Sequence, residues 1–171
     1  MNNILKITIK NQLKASRMSF LCVAGLPAVV IYLNYYYNTN FDRGRIIILV
    51  SFLIFACLRA IFLHTEYYLI NKGEEYELKG DHIIYRKEDE EVIYKKEDIK
   101  KIAVFMSYNR YHNRGYVNAA EIYHFARVFL KSGEILHLTS LLTPNVDKTL
   151  KTYLSEIPYR KERRFFPSTL W

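Results

Sequence analysis

The chain has 171 residues and a formal net charge of +8, which allows one modest domain, alone or with an anchor. Up to residue 64 the only acidic residue is Asp42, set against Lys6, Lys10, Lys14, Arg17, Arg43, Arg45 and Arg59, and beyond it acids and bases nearly balance. A nucleic-acid binder concentrates its excess on the folded domain, so that class is disfavoured, and Cys22 and Cys57 form no CxxC pair, so a zinc or dithiol site is too.

Residues 1–17 form the first element. Lys6, Lys10, Lys14 and Arg17 recur at helical steps, with Ile4, Leu5, Ile7, Ile9 and Leu13 beside them. The spacing predicts either a basic amphipathic helix in a membrane interface, drawn to anionic lipid headgroups, or a basic tail that only sets topology. No charge occurs from Met18 to Phe41, and the run from Phe20 to Leu33 is apolar. At ~1.5 Å per residue, residues 18–37 are long enough to cross a hydrocarbon layer of ~30 Å. The bulky Tyr35-Tyr36-Tyr37 that follows is no cleavage site, which argues against a signal peptide. A second apolar run, 46–63, is interrupted by Ser51 and Arg59, and Arg59 is placed to snorkel to an interface. The short link from Asn38 to Arg45 permits only an antiparallel pair. The expectation is a transmembrane hairpin over residues 18–64, in contact with the lipid bilayer and with both termini cytoplasmic, because the segment before it is the more basic.

From Glu66 onward short alternating segments predict antiparallel strands: Glu66–Ile70, Glu75–Leu78, His82–Arg86, Glu91–Lys95, Ile99–Met106, Glu121–Leu130 and Ile135–Thr139. Lys131-Ser132-Gly133-Glu134 reads as a hairpin turn. A helix follows, with Thr143 as N-cap, Pro144 at its first position, Asp147 in its first turn, and Val146, Leu150, Leu154 and Ile157 on one face. The fold class expected is therefore α+β: a two-helix hairpin, then a seven-stranded antiparallel barrel or sandwich over 65–158 with a C-terminal capping helix. Residues 159–171 are a basic, aromatic tail. The order of seven strands and one helix is that of pleckstrin-homology-like domains.

The segments Glu75-Tyr76-Glu77-Leu78, Gly80-Asp81-His82-Ile83, Asp98-Ile99-Lys100-Lys101-Ile102 and Val128-Phe129-Leu130-Lys131-Ser132-Gly133-Glu134, with Leu141 before a helix, carry a resemblance. Together with the hairpin they resemble the YcxB-like family of small bacterial membrane proteins with a pleckstrin-homology-like domain. The resemblance implies that fold and a place in the bacterial inner membrane as a multi-pass protein. It supplies no catalytic residues.

No catalytic, phosphate-loop or dinucleotide motif is present, and His64, His82, His112, His124 and His137 show no metal-ligand spacing. Neither an enzyme nor a cofactor or metal is expected. Two segments suit recognition. Tyr108, Arg110, Tyr111, Arg114 and Tyr116 interleave aromatic and basic side chains, as protein-binding surfaces do. Arg160, Lys161, Arg163 and Arg164 stand beside Phe165 and Phe166 and join Lys6, Lys10, Lys14, Arg17 and Arg59 as membrane-surface candidates. Lys72 sits with Glu74 and Glu75, which disfavours an inositide pocket there. The function expected is a non-enzymatic, membrane-anchored interaction module that docks an unidentified protein partner or the membrane surface. An immunity protein against a cognate toxin, and an accessory subunit of a transport or secretion complex, are the alternatives. A homo-oligomer is compatible with all three.

Overall fold

The computed structural model describes residues 3–37, 43–115 and 118–170. The chain starts with strand β1 (Asn3–Lys6) and then makes a long excursion through helices α1 (Ile9–Tyr37) and α2 (Arg43–Asn71). It returns to β2 (Glu74–Leu78), which pairs antiparallel with β1, Asn3 opposite Leu78. Strands β3 (His82–Lys87) and β4 (Glu90–Lys95) complete an antiparallel sheet of order β1-β2-β3-β4. Its surface is laced by opposite charges on neighbouring strands: Arg86 reaches Glu75, Glu77 and Glu91, and Lys6 reaches Glu75.

The second sheet holds β5 (Ile99–Met106), β6 (Phe125–Leu130) and β7 (Ile135–Thr139), with β8 (Tyr159–Arg163) beside β5, in the order β7-β6-β5-β8. The β6–β7 turn places Gly133 at φ +95°, a conformation that favours glycine. Helix α3 (Tyr108–Tyr111) and a 3-10 turn at Ala119–Ile122 connect β5 to β6, and α4 (Val146–Tyr153) follows β7.

This second sheet is covered on both faces. Val104, Met106, Ala126, Val128 and Leu138 face the first sheet and α4, where Leu78, Ile83, Val146 and Leu150 close the main core. Ala103, Phe105 and Phe125 face the other way, onto Ala15 of α1 and Ala60, Leu63 and Tyr67 of α2. Double coverage explains why Ile102 to Met106 is an unbroken apolar run and not an alternating one.

The expected transmembrane hairpin is the largest correction. Two long helices form, but among the described residues no helix is long and apolar enough to cross a membrane. The multi-pass inner-membrane location with both termini cytoplasmic falls with it. The second apolar run does not stop at a membrane boundary. Its end is recruited by the sheet: Ala60, Leu63 and Tyr67, spaced by three and four, are fully buried against β-strand aromatics. The same stripe carries α2 through Glu66–Ile70, where alternation had suggested a strand, to Asn71.

Asn71 is fully buried at the junction. Its amide donates to the His137 carbonyl (2.7 Å) and to Glu74 Oε2 (2.8 Å), and its Oδ1 accepts from the Thr139 N–H (3.1 Å). The expected seven antiparallel strands become two sheets of four. Asn3–Lys6 is a strand and not the start of an interfacial helix. β8 joins in parallel to β5, its residues Tyr159 to Arg163 beside Ile102 to Met106. The segment expected as strand Glu121–Leu130 divides into the 3-10 turn and β6, and the N-cap position of the last helix falls at Asn145 rather than Thr143, without a side-chain capping hydrogen bond.

Candidate functional site

The first turns of α1 carry two parallel rows. Ile9, Leu13, Ser16 and Phe20 are spaced four, three and four residues apart, and Lys10, Lys14 and Arg17 repeat that spacing one residue on. On a helix of about 3.6 residues per turn the two rows run side by side. Ile9, Leu13 and Phe20 are 77 %, 59 % and 65 % exposed, and all three cations are exposed. Among the described residues Lys10, Lys14 and Arg17 make no ion pair. The apolar row forms one wall of a groove of about 480 Å³, and Cys57 and Ile61 of α2 form the other. At its floor the Tyr123 hydroxyl and His64 Nδ1 are hydrogen-bonded at 3.0 Å. Burial pushes the His64 imidazole below its ordinary pKa. Lys14 and Arg17 also line a smaller hollow of about 270 Å³ that reaches Arg110 and Asn145. Further along the helices, Ile31, Tyr32, Phe52, Phe55 and Leu58 are exposed. Apolar exposure on this scale marks an interaction surface.

Other charges are committed internally. Asp147, 7 % exposed on α4, lies 3.2 Å from the Arg110 guanidinium, 3.6 Å from Lys161 Nζ and 3.6 Å from His124 Nε2. Burial alone would raise the Asp147 pKa, but His124 and Arg110 outweigh it and hold the carboxyl far below its usual range. Burial pushes His124 down, and the Arg110 charge pushes the same way. The arrangement ties α3, the residue preceding β6, α4 and β8 together. Arg110 is thus a strut of the fold.

The segment after β8 is a strap across α2 and the second sheet. Arg59 donates to the Phe165 carbonyl (3.0 Å), and its guanidinium lies 4.6 and 5.3 Å from the Phe165 and Phe166 ring centres. Tyr67 donates its hydroxyl to the Pro167 carbonyl (2.5 Å). Glu66 Oε1 accepts from the Ser168 hydroxyl (3.0 Å), the Thr169 N–H (2.6 Å) and the Thr169 hydroxyl. Arg127 donates to the Thr169 carbonyl (2.6 Å), and Arg164 stacks on Phe105 at 4.4 Å.

The structure therefore sorts the residues expected to bind. Lys10, Lys14 and Arg17 share one open face, whereas Lys6 pairs with Glu75. Arg59, Lys161 and Arg164 are engaged by the protein's own side chains and backbone, and Arg160 leans on Glu162. Tyr108, Tyr111 and Arg114 remain on the surface, with the Arg114 and Arg163 guanidinium groups over the Tyr108 ring at 5.6 and 5.3 Å. Tyr116 lies outside the described residues. His124 and His137 do not meet across the last hairpin: Arg127 stands opposite His137. Sequence reasoning missed Glu66, Asn71, Tyr123 and the central place of Asp147. An isolated acid or amide in a helix gives no local sign of its distant partner. Among the described residues no group of three or more His, Cys, Asp or Glu could hold a metal ion.

A family model described as a PH domain matches residues 4–151. No curated protein and no solved structure matches the chain. The matched span runs from β1 into α4, so β8 and the strap lie beyond it.

Proposed function

The chain belongs to this PH domain family, whose domains bind lipids or proteins, and from that premise we propose that it is a non-enzymatic module that docks on an anionic lipid surface through the start of α1. One observation carries this reading. Lys10, Lys14 and Arg17 stand open in a row beside exposed Ile9, Leu13 and Phe20, while Arg110 and Lys161 are drawn to Asp147. An exposed apolar row flanked by cations matches the interface of an anionic bilayer, where acyl chains lie beneath charged headgroups.

The test is sedimentation with vesicles of phosphatidylcholine alone or mixed with phosphatidylglycerol. The chain binds the mixed vesicles, and added salt weakens the binding. At about 1 kcal/mol for each cation near an anionic surface, Lys10→Gln with Lys14→Gln and Arg17→Gln lowers affinity on the order of 100-fold. Unchanged affinity of the triple variant overturns the reading.

A second reading, protein docking, is favoured by the exposed Tyr108, Tyr111 and Arg114 cluster. It predicts that Tyr111→Ala with Arg114→Ala abolishes a stoichiometric crosslink to a partner while thermal stability stays unchanged. Arg110 is unsuited to that test because its loss disturbs Asp147.

A further inference from the structure

The groove between α1 and α2 lies directly beside the cationic row, and its walls are mostly apolar. Its volume of about 480 Å³ falls within the range of small-molecule sites. Ile9, Leu13 and Phe20 lead from the open surface into it, and Ala60 and Tyr123 close its inner side. The His64–Tyr123 hydrogen bond engages one donor and one acceptor of that pair, and Gln12, Ser16 and Thr65 are the other polar side chains of a lining that is otherwise apolar. A polar metabolite would find little to bind there. A hydrocarbon chain would find continuous apolar contact, but only one whose polar end emerges at the row of Lys10, Lys14 and Arg17.

We propose that this groove takes one acyl chain of an anionic glycerophospholipid, whose headgroup is then held by Lys10, Lys14 and Arg17. The inference rests on the docking reading above and deepens it, because surface docking alone requires no extracted chain. Charge complementarity selects the occupant. A second copy of this chain would bring the same row of cations against the first, and a neutral chain would leave the cations unused. The hollow shared by Lys14, Arg17 and Asn145 gives a phosphate ester further polar surface next to the groove mouth.

The experiment uses the full chain on phosphatidylcholine vesicles containing phosphatidylglycerol with a photoactivated diazirine at the end of one acyl chain. Crosslinked peptides are mapped, and yields are expressed per vesicle-bound protein. The expected result is labelling concentrated in residues 9–20 and 57–65, suppressed by unlabelled phosphatidylglycerol and not by phosphatidylcholine. Ser16→Phe, which intrudes on the groove, lowers the yield about tenfold, equivalent to losing roughly two buried methylenes. The competition arm gives the same answer on the unaltered chain if that variant misfolds. Labelling spread without preference over Phe52, Phe55 and Leu58 overturns the groove assignment and leaves docking intact. Failure of the chain to bind the anionic vesicles overturns docking, and the groove assignment with it. A concentration-dependent dimer that shields residues 9–20 from the probe assigns the groove to a second copy and overturns the lipid.

Discussion

Asp147→Ala is expected to lower the unfolding free energy by about 3 kcal/mol, read as a shift in the urea midpoint at unchanged slope. Removing one member of a buried pair leaves the others charged without compensation, and Arg110 is only 11 % exposed. The figure sits at the low end for such a break because Lys161 is 37 % exposed and recovers water. The pH dependence has two windows. Asp147 titrates lower in the folded chain than its ordinary 3.8, so its contribution is complete above that pH and is lost as pH falls toward the folded value. His124 also titrates below its ordinary 6.5 when folded, because burial disfavours the imidazolium. The unfolded chain therefore binds that proton first, and stability declines as pH drops below 6.5. His64 and His137 are pushed the same way by burial and add to the upper window. Asp147→Asn should flatten the loss below pH 3.8 and deepen the decline below 6.5, because the Asp147 carboxylate holds the folded His124 pKa up. Urea titrations from pH 7 to pH 3 separate the two.

Glu66→Ala is expected to free the C-terminal strap. One carboxylate oxygen holds Ser168 and Thr169, and hydrogen bonds to a charged group contribute about 1.5–3 kcal/mol each. The strap keeps its ties to Arg59, Tyr67 and Arg127, so about 2 kcal/mol of local stability is lost and the β domain stays folded. Limited trypsin digestion reads this directly: cleavage after Arg163 and Arg164 speeds up while cleavage within β2–β7 does not. Glu66→Gln keeps an acceptor for the Thr169 N–H and should fall between the two. Equal cleavage rates in all three chains would show that the carboxylate does not hold the strap.

Strands with one open face were the most legible part of the fold. β2, β3 and β4 lie where alternation and turn residues indicate, because alternation reports a sheet with a dry side and a wet side. The second sheet has two dry sides, so Ile102–Met106 announces a strand without revealing what covers it. The helix stripe Ala60, Leu63, Tyr67 was readable in principle, but Glu66-Tyr67-Tyr68-Leu69-Ile70 satisfies a strand pattern equally well. The length and apolarity of the two helical runs led to a transmembrane assignment, and hydropathy did not register that a neighbouring sheet would bury Ala60 and Leu63 at the end of the second run. For the site, the cationic spacing of Lys10, Lys14 and Arg17 was legible from local periodicity. The groove beside it was not, since it exists only where α1, α2 and Tyr123 converge. Arg59, Arg110 and Arg164 illustrate the opposite error: a surface-like residue type whose partner lies far along the chain.

Asn71 has a consequence for how molecules of this protein behave toward one another. A sheet that ends on an unpaired strand offers a template on which another chain can continue hydrogen bonding. At β7 the outward carbonyl of His137 and N–H of Thr139 are already matched by a side-chain amide from the end of α2. One asparagine thus mimics the strand that would otherwise come next and closes that edge to recruitment. The opposite edge ends on β8, a strand of five residues that carries charges of both signs, Arg160, Lys161, Glu162 and Arg163. The second sheet is in this way guarded at both margins against polymerisation, by mimicry on one side and by a short, charged strand on the other.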